Sequence, residues 1–247
     1  LIMVLAVISG IGIAAYHPEA ARLVNFEAGN KKNTAMSIFG VGGTIGFALG
    51  PFLITAAIIQ WDLKGTLILI LPVSAMAVFM LTQHSGFKSI ARQNESRENS
   101  GSVHPVKDDW WAFSRLTTVI IGRSVIFYGL NTFIPIYWIN YLHQSKLTGS
   151  LALTVFAASG IFGNLAGGTL ADKYGPKKVL LSGFLGLAVL LPAFCMVDNA
   201  FISLLLTVPV GLILYASYSP SIVLGQNYLP NRVGLSSGIT LGVAISI

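Results

Sequence analysis

One ionisable side chain, Arg123, lies well inside a long apolar stretch of the sequence. In a segment that crosses a membrane, such a charge usually faces a water-filled cavity and marks a substrate or ion path. An anionic substrate would suit this arginine. Alternatively, its side chain extends to the membrane surface, because Arg115 lies only about 12 Å away along a helix. The same stretch carries polar residues that could line a cavity or bond neighbouring helices: Tyr128, Asn131 and Tyr137.

A second group of ionisable residues follows the first apolar segment, where His17, Glu19 and Arg22 lie close together in the sequence. An imidazole and a carboxylate could carry protons. The alternative is a structural network with Arg22 at the end of a helix.

No combination of residues predicts covalent chemistry. The four histidines are dispersed over loops without the spacing of metal ligands, and neither a phosphate-binding Gly-Lys-Ser loop nor a serine elbow is present. The sequence therefore predicts neither an enzyme nor a metal site, and it predicts no cofactor. The single cysteine, Cys195, excludes a disulfide within the chain.

Composition shows which elements must position these residues. Of 247 residues, 54% are hydrophobic and only 10% are charged, and the mean hydropathy is +0.74. A soluble domain carries about 25% charged residues. The apolar residues come in runs of about twenty, the length of a membrane-spanning helix. An all-α, polytopic transmembrane helix bundle is predicted.

Eight apolar segments are predicted, and the first and last are shorter than a full span, so we expect a bundle truncated at both ends. The segments are 1–16, 34–59, 66–82, 112–142, 149–171, 179–197, 200–220 and 234–247. Loops are predicted between them, including 17–33, 60–65 and 221–233.

The basic residues divide unequally between alternate loops. Loops 17–33, 83–111, 172–178 and 221–233, together with Arg115, hold 12 of the 15 basic residues, and the opposite loops hold two. Basic residues concentrate in cytoplasmic loops, so the first set is predicted to be cytoplasmic. The net charge of +6 is explained by this concentration of lysine and arginine in the predicted cytoplasmic loops. Because no basic face with interleaved aromatic residues exists, a nucleic-acid partner is not expected.

The longest loop divides the chain. Residues 83–111 are polar and predict a flexible cytoplasmic linker between residues 1–82 and 112–247. Weak similarity between the stretches that begin at Tyr16-His17-Pro18 and Tyr218-Ser219-Pro220 suggests two related halves of parallel orientation.

The strongest motif is the run Gly168-Thr-Leu-Ala-Asp172-Lys-Tyr-Gly175-Pro-Lys177-Lys178. It resembles the signature loop of the major facilitator superfamily, with Pro176 where a basic residue is often found. The resemblance implies that the segments are helices 4 to 11 of twelve, with residues 1–82 in the first half and 112–247 in the second.

The resemblance also implies a role for this run as a gating loop, formed by Gly168, Asp172, Gly175, Lys177 and Lys178. By the pseudo-symmetry of the two halves, Asp172 should lie against the start of helix five, segment 34–59, near Asn33, Thr34 and Ala35. The free N–H groups and the dipole of a helix N-terminus favour an anion there.

Two further runs resemble the fosmidomycin-resistance branch of bacterial drug-efflux permeases: His17-Pro-Glu19-Ala-Ala-Arg22, and Leu229-Pro-Asn-Arg-Val-Gly234. The run Gly46-x-x-x-Gly50-Pro51 partly resembles the fifth-helix motif of drug/proton antiporters. A packing motif is the alternative, since small residues let helices approach closely.

The resemblance implies a monomeric transporter in the bacterial inner membrane that exports a small drug or metabolite in exchange for protons. Such a protein would contribute to antibiotic resistance. Two alternatives remain at this point: an uptake permease with the same fold, and a truncated remnant that transports nothing.

Overall fold

The structure is a computed structural model that describes residues 2–83 and 107–246. Every regular element in these two ranges is helical, which confirms the predicted all-α fold. The α-helices are α1 (Ile2–Glu27), α2 (Lys32–Trp61), α3 (Ile70–Thr82), α4 (Trp110–Ile136), α5 (Lys146–Tyr174), α6 (Pro176–Cys195), α7 (Ala200–Ala216), α8 (Tyr218–Tyr228) and α9 (Val233–Ser246). Short 3₁₀ helices form at Asp62–Leu69 and Pro230–Arg232, and a π-helical turn, Tyr137–Tyr141, extends α4.

Five helical stretches in the described ranges are long and apolar enough to cross a membrane. They are Ala56–Thr82, Trp110–Tyr141, Lys146–Tyr174, Pro176–Cys195 and Ala200–Tyr228. Large apolar side chains such as Leu71, Val189 and Phe201 point outward from them. This exposure suits a lipid surrounding, which is as apolar as the side chains themselves.

Four predicted loops are wrong, because helix occupies most or all of 17–33, 60–65, 172–178 and 221–233. Loop 17–33 is largely the second half of α1, which passes through Pro18 and ends at Glu27. Burial stabilises this half, since Ala21 and Asn25 are both buried. Loop 221–233 overlaps α8, where the buried residues Ile222 and Gln226 lie. In these two segments tertiary packing outweighs the local signal of polar residues and proline.

The chain divides into two compact units, Leu1–Val41 with Lys107–Ile247, and Gly42–Val106. The predicted division into 1–82 and 112–247 about a cytoplasmic linker remains a prediction, because most of the linker lies outside the described residues.

In the first unit, α5 and α7 pack with almost no side chain between them. A Cβ added at Gly163 would lie 2.7 Å from Leu212 Cα, and one added at Gly167 would lie 2.6 Å from the Ala216 carbonyl carbon. Only glycine permits these approaches, as in other close helix pairs in membranes. Aromatic and aliphatic side chains of α4 to α7, including Phe156, complete the core beside this contact.

A single residue joins α5 to α6 in the same unit. Gly175 has φ +93°, a conformation that residues with a Cβ rarely adopt. Pro176 follows as the first residue of α6, where its missing N–H is not needed. The two helices therefore follow one another without an intervening loop.

The second unit contains the later part of α2, the first 3₁₀ helix and α3. Gly65 lies directly against α2, since a Cβ there would be 2.6 Å from the Ala57 carbonyl carbon. An apolar groove of about 540 Å³ lies within this unit, lined by Leu53, Ala56, Ala57, Gln60, Trp61, Ile68, Leu69 and Pro72.

Candidate functional site

Asp172, near the end of α5, binds the first turn of α2. Its Oδ1 accepts hydrogen bonds from Asn33 N at 3.0 Å and Asn33 Nδ2 at 2.8 Å. Its Oδ2 accepts from Thr34 N at 2.8 Å and Thr34 Oγ1 at 2.6 Å. The carboxylate thus satisfies two N–H groups that a helix start leaves without an intrahelical partner. We call these three residues the Asp172 clamp. The contact lies where the sequence predicted it.

The other residues of the predicted gating loop divide into two groups. Gly168 packs on the same turn of α2, since a Cβ there would lie 2.6 Å from Asn33 O. Gly175 forms the α5–α6 joint, whereas Lys177 and Lys178 are exposed at the start of α6. Neither lysine forms an ion pair within the described part of the chain. Gly168 and Asp172 therefore provide the contact with α2, Gly175 provides the joint to α6, and the lysines provide surface charge.

A buried polar group extends the Asp172 clamp by about two turns of α5. Ser219 Oγ donates to Asn164 Oδ1 at 2.6 Å, and Asn164 Nδ2 donates to Ser37 O at 3.4 Å. Gly40 leaves room for the Asn164 amide, since a Cβ there would lie 3.0 Å from Nδ2. Three helices, α2, α5 and α8, are joined in this way. The contact between Asn164 and Ser219 was not predicted from the sequence.

A second buried group joins α1, α8 and α9, and we call it the amide network. Gln226 Oε1 accepts a hydrogen bond from Asn25 Nδ2, while Gln226 Nε2 donates to Ser237 Oγ at 2.8 Å and to Ala21 O at 3.3 Å. Gln226 is 2% exposed. Sequence reasoning missed this network because it placed Gln226 in a loop. A glutamine between two apolar residues at helical spacing, Val223 and Leu229, was the available signal.

His17, Glu19 and Arg22 lie at a different place in the first helix than the sequence predicted. These residues lie within α1 rather than at its end, because the helix continues to Glu27. Arg22 donates from Nε and Nη2 to both carboxylate oxygens of Glu19, at 3.0 and 2.8 Å. His17 is outside this pair, and its Nδ1 lies 3.2 Å from Ile13 O. The structure therefore brings Glu19 and Arg22 together without His17.

Arg123 is buried in the first unit, with 3% of its surface exposed. Its Nε donates to Ser217 Oγ at 3.0 Å and to Leu214 O at 3.3 Å. The guanidinium carbon lies 5.2 Å from the ring centre of Tyr218 and 5.8 Å from that of Phe127. The side chain thus contacts the break between α7 and α8 and is not extended to the surface. Its partners were not predicted.

The remaining cavity candidates do not all gather at Arg123. Asn131 donates from Nδ2 to Phe127 O in its own helix at 2.8 Å, and Tyr128 is half-buried. Tyr137 lies in the π-helical turn that follows α4, where its hydroxyl donates to Val197 O. Tyr137 is therefore separated from Arg123 by nearly four helical turns.

The motif Gly46, Gly50 and Pro51 lies within α2 in the second unit. A Cβ built at either glycine would meet no described atom within 4 Å beyond its own helix. Among the residues that the structure describes, no cluster of histidine, cysteine and acidic side chains could hold a metal ion.

Comparison with known proteins agrees with this architecture. The family model of the Major Facilitator Superfamily matches residues 1–247. The chain is 29% identical, over its full length, to the Fosmidomycin resistance protein of Escherichia coli (strain K12), of which it covers 61%. It is 30% identical, over 96% of its length, to the uncharacterized MFS-type transporter YfnC of Bacillus subtilis (strain 168), of which it covers 59%.

A more distant similarity links the chain to the Proline/betaine transporter of Escherichia coli (strain K12). Identity is 23% over 83% of the chain, which covers 45% of that protein. The chain spans about three fifths of the length of the first two relatives. With a family model matched from its first residue to its last, the chain belongs to the major facilitator superfamily.

Proposed function

We propose that this chain is part of a secondary active transporter that exports a small molecule across the bacterial inner membrane. The main observation that supports this proposal is the Asp172 clamp, a contact between one carboxylate and the start of one helix. Hydrogen bonds of this kind can break and form again, because water molecules replace the lost partners when the contact opens. The clamp can therefore close and open repeatedly, as a gate must. Similarity to a fosmidomycin resistance protein favours export.

In the proposed cycle, the Asp172 clamp closes the predicted cytoplasmic side while the opposite side is open. Breaking the clamp separates α5 from α2 and opens the cytoplasmic side, so that two halves rock about a central site. Arg123, Tyr128 and Asn131 are the proposed cavity residues. Proton entry would drive export, with His17 and Glu19 as candidate carriers, and the unit of transport would be a monomer.

The test uses the full-length protein, expressed in Escherichia coli that lacks its own fosmidomycin resistance protein. We expect the minimum inhibitory concentration of fosmidomycin to rise at least fourfold. A protonophore should abolish drug export from washed cells, and Asp172→Asn should remove most of the protection at equal membrane abundance. Unchanged susceptibility with normal abundance would contradict fosmidomycin export and favour uptake or a remnant.

Uptake is a second candidate, supported by the similarity to the Proline/betaine transporter. The two directions are separated by measuring radiolabelled proline and betaine in cells that lack their own carriers for these solutes. Accumulation above the vector control would favour uptake. Growth protection against fosmidomycin without solute accumulation would favour export.

A further inference from the structure

Arg123 carries a positive charge that no carboxylate in the described ranges neutralises. The ion pairs found there are Glu19 with Arg22 and Asp108 with Arg232. The other described acidic residues lie near helix ends or in short connections: Glu27, Asp62, Asp109, Asp172 and Asp198. A buried cation without an ionic partner is costly, and inside a membrane protein it usually marks a functional site.

The guanidinium is only partly used by its surroundings. Both hydrogen bonds that Arg123 makes start from Nε, to Ser217 Oγ and Leu214 O. Within residues 2–83 and 107–246, neither Nη nitrogen has an acceptor. An arginine has five N–H donors in a planar fork, and the fork matches the two oxygens of a carboxylate or phosphoryl group. The Nη edge is thus an unoccupied half of an anion-binding fork.

The contacts of Nε hold this fork in place. Ser217 lies between α7 and α8, and its Oγ also donates to Leu214 O at 2.6 Å. Arg123 therefore binds the carboxyl end of α7, where the helix dipole favours a cation. The rings of Tyr218 and Phe127 restrict the guanidinium further and supply cation–π attraction. A fork that is already oriented loses little freedom when it binds an anion.

We infer that Arg123 binds the anionic group of the transported substrate, so that the substrate class is a small organic anion. The inference rests on the proposed transport function and adds that the transported molecule is an anion. Because Arg123 is 3% exposed, the anion reaches it only when the helices around the α7–α8 break move apart. The anion then binds the Nη edge, while Nε keeps its bonds to Ser217 Oγ and Leu214 O.

The experiment measures ligand protection of the purified full-length protein in detergent, by the midpoint of thermal unfolding. The probes have one aromatic ring and differ in charge: phenylphosphonate and benzoate are anions, benzylamine is a cation and benzyl alcohol is neutral. We expect both anions, but not the other two probes, to raise the midpoint in a saturable manner. Arg123→Gln should weaken phenylphosphonate binding by roughly 10- to 100-fold, the range expected for lost charge-assisted hydrogen bonds.

Two further variants separate binding from folding. Arg123→Lys keeps the charge without the fork and should retain weak, anion-selective protection. Ser217→Ala keeps the fork and removes one orienting partner, so affinity should fall only a few-fold and anion selectivity should persist. Equal protection by all four probes, no protection by either anion, or undiminished protection of the Gln variant overturns the inference. Each result is independent of the fosmidomycin susceptibility test, so export can stand if anion binding fails.

Discussion

Asp172 and Thr34 are joined by two hydrogen bonds to one carboxylate oxygen. Thr34 N and Thr34 Oγ1 lie 2.8 and 2.6 Å from Asp172 Oδ2. A helix start thus holds the carboxylate through its backbone and through the side chain of the same residue. The backbone donor is insensitive to mutation of Thr34, so the two contributions can be separated experimentally.

Removing the charge of Asp172 should weaken the clamp while preserving its shape. The dipole at a helix start stabilises an anion by about 0.3–2 kcal/mol, so Asp172→Asn should shift the population of the closed state several-fold. Ser37 is buried beside Gly168. In a Cys195→Ser background, a cysteine substituted for Ser37 should therefore react several-fold faster with N-ethylmaleimide once Asp172 is neutralised.

Asp198→Asn is the matched control for this experiment, because Asp198 accepts a hydrogen bond from Tyr141 near the α6–α7 connection. It should leave labelling at position 37 unchanged. Thr34→Val, which retains the backbone donor, should give an intermediate rate. Equal rates for Asp172→Asn and the parent protein would contradict a role for the clamp in closing this interface.

The two sides of the membrane can be assigned with two exposed lysines. Lys177 lies in a predicted cytoplasmic segment and Lys146 in an opposite one. Single cysteines at these positions, again without Cys195, should differ in their reaction with an impermeant maleimide. In intact spheroplasts only the cysteine at position 146 should label, and both should label after lysis. Labelling at position 177 in intact spheroplasts would reverse the topology.

Close packing of α5 on α7 should make Gly167 intolerant of a methyl group. Gly167→Ala forces a Cβ into the Ala216 backbone, and overpacking of this kind costs about 1–3 kcal/mol. Gly122→Ala on α4 is the control, because its Cβ would meet no described atom within 4 Å outside its helix. The thermal midpoint of purified protein should fall for Gly167→Ala and stay equal or rise for Gly122→Ala. The reverse order would show that α5 and α7 are not in this contact.

Replacing Gln226 in the amide network by an apolar residue should destabilise the protein, although the position is buried. Gln226→Leu leaves the buried Asn25 amide without its acceptor, at about 1–3 kcal/mol for the unsatisfied group. It also removes a donor from Ser237, whose hydroxyl keeps its bond to Val233 O. Gln60→Leu, at an exposed position of α2, is the control and should be nearly neutral. In a double-mutant cycle, adding Asn25→Leu should cost less than it does alone. Full additivity of the two substitutions would argue against a coupled network.

Sequence reasoning predicted the Asp172 contact because a motif and a repeat together point to one helix start. It also found Arg123, since a lone charge in an apolar run is visible without a structure. The partners of Arg123 were not predictable in the same way, because Ser217 and Leu214 are ordinary residues until a helix breaks between Ala216 and Tyr218. Gln226 was misplaced for a related reason. Its burial depends on contacts with α1, about 200 residues earlier in the sequence.

The hydroxyls and amides between α1, α8 and α9 determine how water would meet this interface if the helices part. Each buried group that loses a protein partner can bond to a water molecule instead, so the net change is only about 0.5–1.5 kcal/mol per hydrogen bond. An aliphatic seam of equal area would resist wetting, at about 25 cal/mol for each Å² exposed. Buried polar residues such as Ser236, Ser237 and Gln226 therefore make this interface easy to hydrate when the helices part. When the helices are together, the same residues fix how they pair.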